Sequence, residues 1–258
     1  MKRTDASRQV GLARALSKLG YCSRSEACSL IRAGHVRLNE RLRLDPETPV
    51  HLEKDHIQVD GHTLRENQKI YLMLNKPRGI ITTATDEKGR ETVYKLLDKD
   101  CPWVAPVGRL DKASEGLLLL TNDSEWSARV LAPETHLEKT YHVQIAAIVN
   151  TVLLEKMRKG VLSAGDILRA KSALILRAGE RNTWLEVVLD EGKNRHIRRM
   201  LTQLGIEVIR LVRVAIGPLA LGELPKGSAR QLTAEEKQAI DRAMESSQTA
   251  ARWSKRRA

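Results

Sequence analysis

Gly108-Arg109-Leu110-Asp111-Lys112-Ala113-Ser114-Glu115-Gly116-Leu117-Leu118-Leu119-Leu120-Thr121-Asn122-Asp123 is the stretch around which the chain reads. A carboxylate lies in a glycine-bounded segment, and directly behind it four leucines run into Thr-Asn-Asp. A short apolar run closed by turn residues reads as a buried strand. Asp111 therefore stands at the rim of a core, where a carboxylate is uncommon without a task. An aspartate capping a turn fits the same pattern. The pattern alone leaves these two readings even.

The rest of the composition supplies context. The chain has 258 residues, enough for one large domain or two smaller ones. Phe is absent, so Leu, Ile and Val must fill the interior. The formal net charge of +12 points to a polyanionic partner, with nucleic acid first. No run reaches the length of a membrane-spanning helix, and no apolar segment of a secretory signal follows Met1-Lys2-Arg3-Thr4-Asp5. Three cysteines, Cys22, Cys28 and Cys101, lack zinc-site spacing and read as free thiols. His51, His56 and His62 have no cysteine or acidic partners at metal-ligand spacing. The expectation is a soluble, cytoplasmic protein that needs no metal and no membrane.

Upstream, apolar residues at helical spacing run from Val10 to Leu19 and stop at Gly20. Ser23-Arg24-Ser25-Glu26 is a capping box that opens a second helix, which Gly34 ends. Short strands follow at His35–Asn39 and His56–Gly61, with turns at Glu40-Arg41 and Asp45-Pro46. Arg24 and Arg32 flank the second helix, whose N-terminus also favours a phosphate; a charged surface alone accounts for them equally. Leu19-Gly20-Tyr21-Cys22-Ser23-Arg24-Ser25-Glu26-Ala27, Leu30 to Asn39 and Ile57 to Gly61 closely resemble the alpha-L, or S-four-type, RNA-binding domain. The resemblance implies binding of structured RNA and covers roughly Val10 to Gly61.

A polar linker, His62 to Gln68, separates this module from the remainder. We expect domains at 8–62 and 69–245, and a basic, disordered tail at 246–258. In the second domain the pattern predicts a strand at Lys69–Leu74, the turn Asn75-Lys76-Pro77-Arg78-Gly79, and a strand at Ile80–Thr83 that pairs with the first. A helix is expected at Glu91–Leu97, strands at Val104–Val107 and Lys139–Ile148, and a helix from Ser124 that Pro133 stops. Further on come a helix at Val152–Met157 and strands at Ser172–Leu176, Thr183–Leu189 and Ile206–Ile216. Between the last two, Asp190-Glu191-Gly192-Lys193-Asn194-Arg195-His196-Ile197-Arg198-Arg199 opens a helix to about Leu204 with Arg195, Arg198 and Arg199 on one side. Thr233 and Glu236 cap a last helix near Ala234–Met244. Strands and helices do not alternate regularly, so the fold class is α+β with a mixed, largely antiparallel sheet.

At this point the residues resemble a family. Gly108 to Asn122 matches the signature of the RsuA-type ribosomal RNA pseudouridine synthases. Asn75 to Gly79 resembles their first motif, Lys139-Thr140-Tyr141 their tyrosine motif, and Glu191 to Leu201 their third. Gly217, Leu224, Gly227 and Arg230-Gln231-Leu232 fit as well, so the resemblance spans nearly the whole chain. It implies isomerisation of uridine to pseudouridine in RNA, with no cofactor. It makes Asp111 the reacting carboxylate, either adding to the sugar carbon or removing a sugar proton; both need the ionised form. It makes Arg198 the counter-ion of that carboxylate, Tyr141 the residue stacked on a flipped-out base, and Ile197 the packing on the base's other face. Arg109, beside Asp111, is expected to plug the gap left in the RNA, with a simple phosphate contact as its other reading. Lys76, Arg78, Lys193, Arg195, Arg24 and Arg32 are expected to bind substrate. Without the resemblance each has a plainer reading: Arg198 a phosphate contact, Tyr141 rim packing, Ile197 helix core.

Two positions depart from the family pattern: Ser124 where Gly is frequent, and Lys193 where Arg is. The expected partner is ribosomal RNA, 23S favoured over 16S by the form of the third motif, alone or within pre-ribosomal subunits, with the protein a monomer. A non-catalytic RNA-binding or assembly factor, or an enzyme acting on transfer RNA, are the alternatives.

Overall fold

The computed structural model describes residues 9–64, 67–84, 86 and 88–255, with side chains to residue 246. By packing the chain divides into two units: one holds the chain to Tyr71 with Lys99–Ala105 and Leu120–Glu125, the other Leu72–Asp98, Pro106–Leu119 and the remainder. Among the described residues no helix is long and apolar enough to cross a membrane.

The first unit is built on helices α1 (Leu12–Lys18) and α2 (Arg24–Arg32). The capping box works as expected at its first half: Ser23 Oγ accepts from the Glu26 amide at 3.1 Å. Helix α2 turns Ala27 and Ile31, one helical turn apart, into the core and leaves Arg24 and Arg32 exposed. Four short antiparallel strands follow, in the order Arg41–Leu42, Val36–Leu38, Ile57–Val59, His62–Thr63. Val36, Leu38, Ile57 and Val59 alternate into the same core as Leu12 and Leu16. Cys22 joins that core, and burial pushes its thiol up to about 12, so it is unreactive at neutral pH.

The large sheet has nine strands among the described residues. Its principal members are β1 (Tyr71–Lys76), β2 (Glu115–Thr121), β3 (Lys139–Ile145), β4 (Ser172–Ala178), β5 (Thr183–Leu189), β6 (Val208–Ile216) and β7 (Ala229–Gln231). They lie in the order β4-β5-β3-β6-β2-β1-β7. The β4–β5, β5–β3, β3–β6 and β1–β7 pairs are antiparallel and β6–β2 is parallel, which makes the sheet mixed and largely antiparallel. The Leu117–Leu120 run is buried on both faces in the middle of it, as a strand with an uninterrupted apolar run must be. Helices α3 (Ser124–Leu131), α4 (Thr151–Lys159), α5 (His196–Gln203) and α6 (Ala234–Lys255) complete the chain. One core joins Val143, Leu185 and Val187 of the sheet to Met157 of α4 and Met200 of α5.

Three expectations need correction, and one element is added. Ile80–Thr83 forms no strand beside β1; only Ile81 bridges, in parallel, to Thr92, while β1 lies between β2 and β7. The Thr82 hydroxyl is committed to the Asp111 loop instead, as described below, and the Ile81 backbone bonds Glu91 and Val93. Glu91–Leu97 forms only a 3₁₀ turn, Val93–Leu96. A hairpin, Val161–Ser163 with Asp166–Leu168, fills a stretch to which the sequence assigned no element. Its two connecting residues, Ala164 and Gly165, both have positive φ, the geometry of a two-residue hairpin turn. Helix α6 continues past the expected end at Met244 to Lys255, so the stretch expected as a disordered tail is helical that far; residues 256–258 lie outside the described residues. Thr233 and Glu236 do form the capping box, each side chain accepting the other's amide, at 3.2 and 2.9 Å.

Candidate active site

Asp111 sits in a tight loop between Val107 and β2, and the loop is held by its carbonyls. Five consecutive carbonyl oxygens, residues 110 to 114, each accept a hydrogen bond. Thr82 Oγ1 donates to Leu110 O at 2.9 Å and accepts from the Leu110 amide at 3.3 Å. The Ser114 amide closes a turn on Asp111 O at 2.9 Å, and the Gly79 amide donates to Lys112 O at 2.8 Å. Arg198 Nη2 donates to Ala113 O at 3.0 Å. Lys76 Nζ reaches both Asp111 O (3.2 Å) and Ser114 O (2.9 Å), and Pro77 O as well (3.0 Å). Loops are ordinarily held by few such bonds, so this one is fixed by residues distant in sequence.

Lys76 was expected to bind RNA, and this is corrected: it is 0 % exposed at the end of β1. Its three donors are matched by three carbonyls, the condition under which a lysine is tolerated inside. Burial pulls its amine down to about 8, against the pull of Asp111 and Glu115 in the other direction. Lys76 is thus a positioning residue for the loop. Lys76→Met removes three hydrogen bonds, on the order of 3 kcal/mol at about 1 kcal/mol each, and Asp111 O keeps only the Ser114 amide. We expect turnover to fall roughly 100-fold through loop misplacement, with RNA affinity unchanged, read by single-turnover kinetics and a binding isotherm. The same ammonium sets a pH signature. Between about pH 8 and 10.5 the unfolded chain holds this proton and the folded chain has lost it, so this group makes the fold more stable as pH rises. Over that range the neutral amine has two donors for three carbonyls, so single-turnover rate should decline above about pH 8 while denaturant stability does not.

The Asp111 carboxylate itself is about one-third exposed. Arg195 Nη1 lies 4.0 Å from its Oδ2, and Arg195 is the N-cap of α5 with a left-handed φ of 47°. Arg198, expected as the direct counter-ion, stands back: its guanidinium binds Ala113 O and, at 3.4 Å, Val208 O. Burial lowers its pKa, with Arg195 and Arg78 adding repulsion and Asp111 opposing them. Asp111, Arg195 and Arg78 therefore all act on the Arg198 guanidinium. Arg199 does not join them; it grips the hairpin through Ser163 O (2.5 Å) and Asp166 (2.9 Å).

Tyr141 is on β3, opposite Arg213 of β6, which in turn lies opposite Gly116 of β2. Paired residues share a face, so Tyr141 and Arg213 stand in one row that ends just beyond the Asp111 loop. Ile197 is 3 % exposed inside the core that Tyr141 packs against, which matches its plain reading as helix core. Arg109, Arg78, Arg24 and Arg32 are exposed, and Lys193 donates to Ile167 O at 3.0 Å.

Four further residues, Glu115, Arg210, Lys226 and Arg213, were not singled out from the sequence. Glu115 is buried, and burial alone would raise its carboxyl. Arg210, in a two-pronged contact at 3.0 and 3.1 Å, and Lys226 at 2.5 Å hold it below the usual carboxylate range. This ties the start of β2 to β6 and to the segment before β7. Arg213 is buried and donates through Nε to Leu117 O at 2.7 Å. For Glu115, Arg210 and Arg213 the signal in the sequence was a charge inside an apolar strand. Among the described residues no group of three or more His, Cys, Asp or Glu side chains is placed to hold a metal.

These features correspond to known proteins. A family profile described as RNA pseudouridylate synthase matches residues 70–203, and one described as S4 domain matches residues 10–57. The chain belongs to the RNA pseudouridylate synthase family: it is an RNA pseudouridine synthase with an S4-type RNA-binding domain at its front. Among individual relatives, it is 35 % identical over 227 residues to ribosomal large subunit pseudouridine synthase B of Bacillus subtilis, covering 87 % of this chain and 93 % of that one. An uncharacterized RNA pseudouridine synthase of Aquifex aeolicus is 36 % identical over 230 residues, covering 88 % and 92 %. A crystal structure of a pseudouridylate synthase matches with a TM-score of 0.63 at 30 % identity, over 90 % of this chain and 99 % of that one.

Proposed function

We propose that this enzyme isomerises a uridine of ribosomal RNA, in the large subunit, with Asp111 as the reacting group. The observation that carries the reading is the Asp111 loop, whose carbonyls at residues 110 to 114 are all committed while its carboxylate stays accessible beside Arg195, with Arg198 acting on it. An accessible carboxylate with cations beside it is what attack on a sugar carbon, or removal of a sugar proton, calls for. The name of the Bacillus subtilis relative supports the large-subunit assignment.

The reaction balances within one nucleotide. The bond between ribose carbon 1 and uracil nitrogen 1 breaks, and a bond from that carbon to uracil carbon 5 forms. Carbon 5 loses its proton and nitrogen 1 gains one. The base must first leave the stack, at a cost of a few kcal/mol, which the phosphate contacts of exposed arginines offset. Arg109 fills the vacated position, and Tyr141 stacks on the extruded base.

Pseudouridine mapping of ribosomal RNA from cells with and without the gene tests the reading. One uridine of the large-subunit RNA should lose its modification on deletion, and purified protein should restore it on isolated RNA or subunits. Loss of a site in transfer RNA alone would redirect the assignment, and loss of none would refute it.

A further inference from the structure

A cleft of about 520 Å³ opens beside the third motif, lined by Arg158, Ile167, Arg169, Lys171, Asp190 and Lys193 among others. Two cations in it are already engaged: Lys171 pairs with Glu138, and Lys193 lies 3.3 Å from Glu191. Arg158 and Arg169 are exposed and carry no ion pair among the described residues; Arg169 spends only its Nε, on Lys159 O at 3.2 Å. None of the lining side chains is aromatic.

The cleft is structurally continuous with the Asp111 site. Arg195, 4.0 Å from Asp111, belongs to the same turn as Lys193. Lys193 binds the carbonyl of Ile167, on the hairpin strand that leads to Arg169. Arg169 in turn binds the end of α4, where Arg158 and Lys159 project. A line of cations thus runs from the reacting carboxylate to the end of α4.

We propose that this cleft is a second RNA-binding site, which holds the phosphodiester backbone of the strand flanking the target uridine. The inference rests on the reading of the chain as an enzyme acting on ribosomal RNA. Guanidiniums with unused donors in an open cleft suit phosphate oxygens. Without an aromatic platform the cleft gives no stacking, so it contributes affinity independent of base sequence. It sets how much flanking RNA the enzyme needs.

The test compares the full-length protein with the Arg158→Glu/Arg169→Glu double variant on an rRNA fragment and on a minimal stem-loop from it. On the long fragment KM should rise about tenfold or more with kcat within twofold. The slope of log Kd against log salt should fall by roughly 1 to 2, as expected for one or two lost phosphate contacts. The minimal stem-loop, too short to reach the cleft, should show neither change. Unchanged KM and salt slope on the long fragment would overturn the proposal, as would an equal loss on both substrates. Arg158→Gln, at an exposed position with no ion pair, gives the same readout should the double variant fold poorly; half the slope change is expected. Wild-type turnover in the same assay separates the two claims: without it the functional reading fails, while the salt slope still decides whether the cleft binds RNA.

Discussion

Asp111→Asn is expected to lower turnover by at least about 10³-fold while leaving the fold and RNA affinity intact. The size follows from removing the one group proposed to react, a loss that the other parts of a site do not make up. Preservation of the fold follows from geometry. The loop is held through main-chain oxygens of residues 110 to 114, and those bonds are indifferent to the side chain at position 111. Asparagine has nearly the shape of aspartate, and the nearest cation, Arg195, is 4.0 Å away, too far for a strong hydrogen bond to be broken. Losing the negative charge makes the site more cationic, so RNA binding should be equal or tighter. Pseudouridine formation under single turnover, a salt-controlled binding isotherm and a thermal melt are the three measurements. A parallel loss of binding and melting temperature would make Asp111 a structural turn residue, the other reading its sequence allowed.

Gly116→Ala should have the largest effect on stability. Gly116 has a φ of 101°, and a Cβ placed there would lie 2.2 Å from the Arg213 carbonyl oxygen and 2.8 Å from its amide nitrogen. Both are backbone atoms of β6, at the register where β2 and β6 run parallel. Neither can move without parting the middle of the sheet, so the clash and the strained φ add. A loss above about 4 kcal/mol is expected, seen as a melting temperature lowered by roughly 10 °C or more or as insoluble protein. Gly222→Ala is the control. It also has a positive φ, 58°, but nothing lies within 4 Å of its would-be Cβ, so only strain of about 1 kcal/mol applies. Comparable losses in the two variants would mean that φ, and not the close approach of β6, governs Gly116.

Local chemistry explains what was readable from the sequence. Ser23 with Glu26, and Thr233 with Glu236, act within one helical turn, and both caps form. The leucine run is buried because nothing in it can meet water. What was misread depends on partners far along the chain. Lys76 follows a strand and precedes Pro77, which reads as an exposed turn cation, yet its carbonyl partners at Asp111 and Ser114 are 35 and 38 residues away. Thr82 and Gly79 looked like strand and turn for the same reason; their donors serve the Asp111 loop. Arg195, Arg198 and Arg199 share a helical spacing, but the left-handed Arg195 and the hairpin below Arg199 send the three to different tasks. The hairpin itself has three residues per strand, too few for alternation to register.

Holding the Asp111 loop by its carbonyls has a further consequence. Carbonyl oxygens are common to every amino acid, so the geometry around the carboxylate does not depend on which side chains occupy Lys112 or Ala113. Those positions, with the exposed Arg109 ahead of them, are open to exchange without disturbing the frame. With Asp111 in its proposed role, one scaffold could in this way be readdressed to different uridines by rewriting a few outward-facing letters while the carboxylate keeps its place.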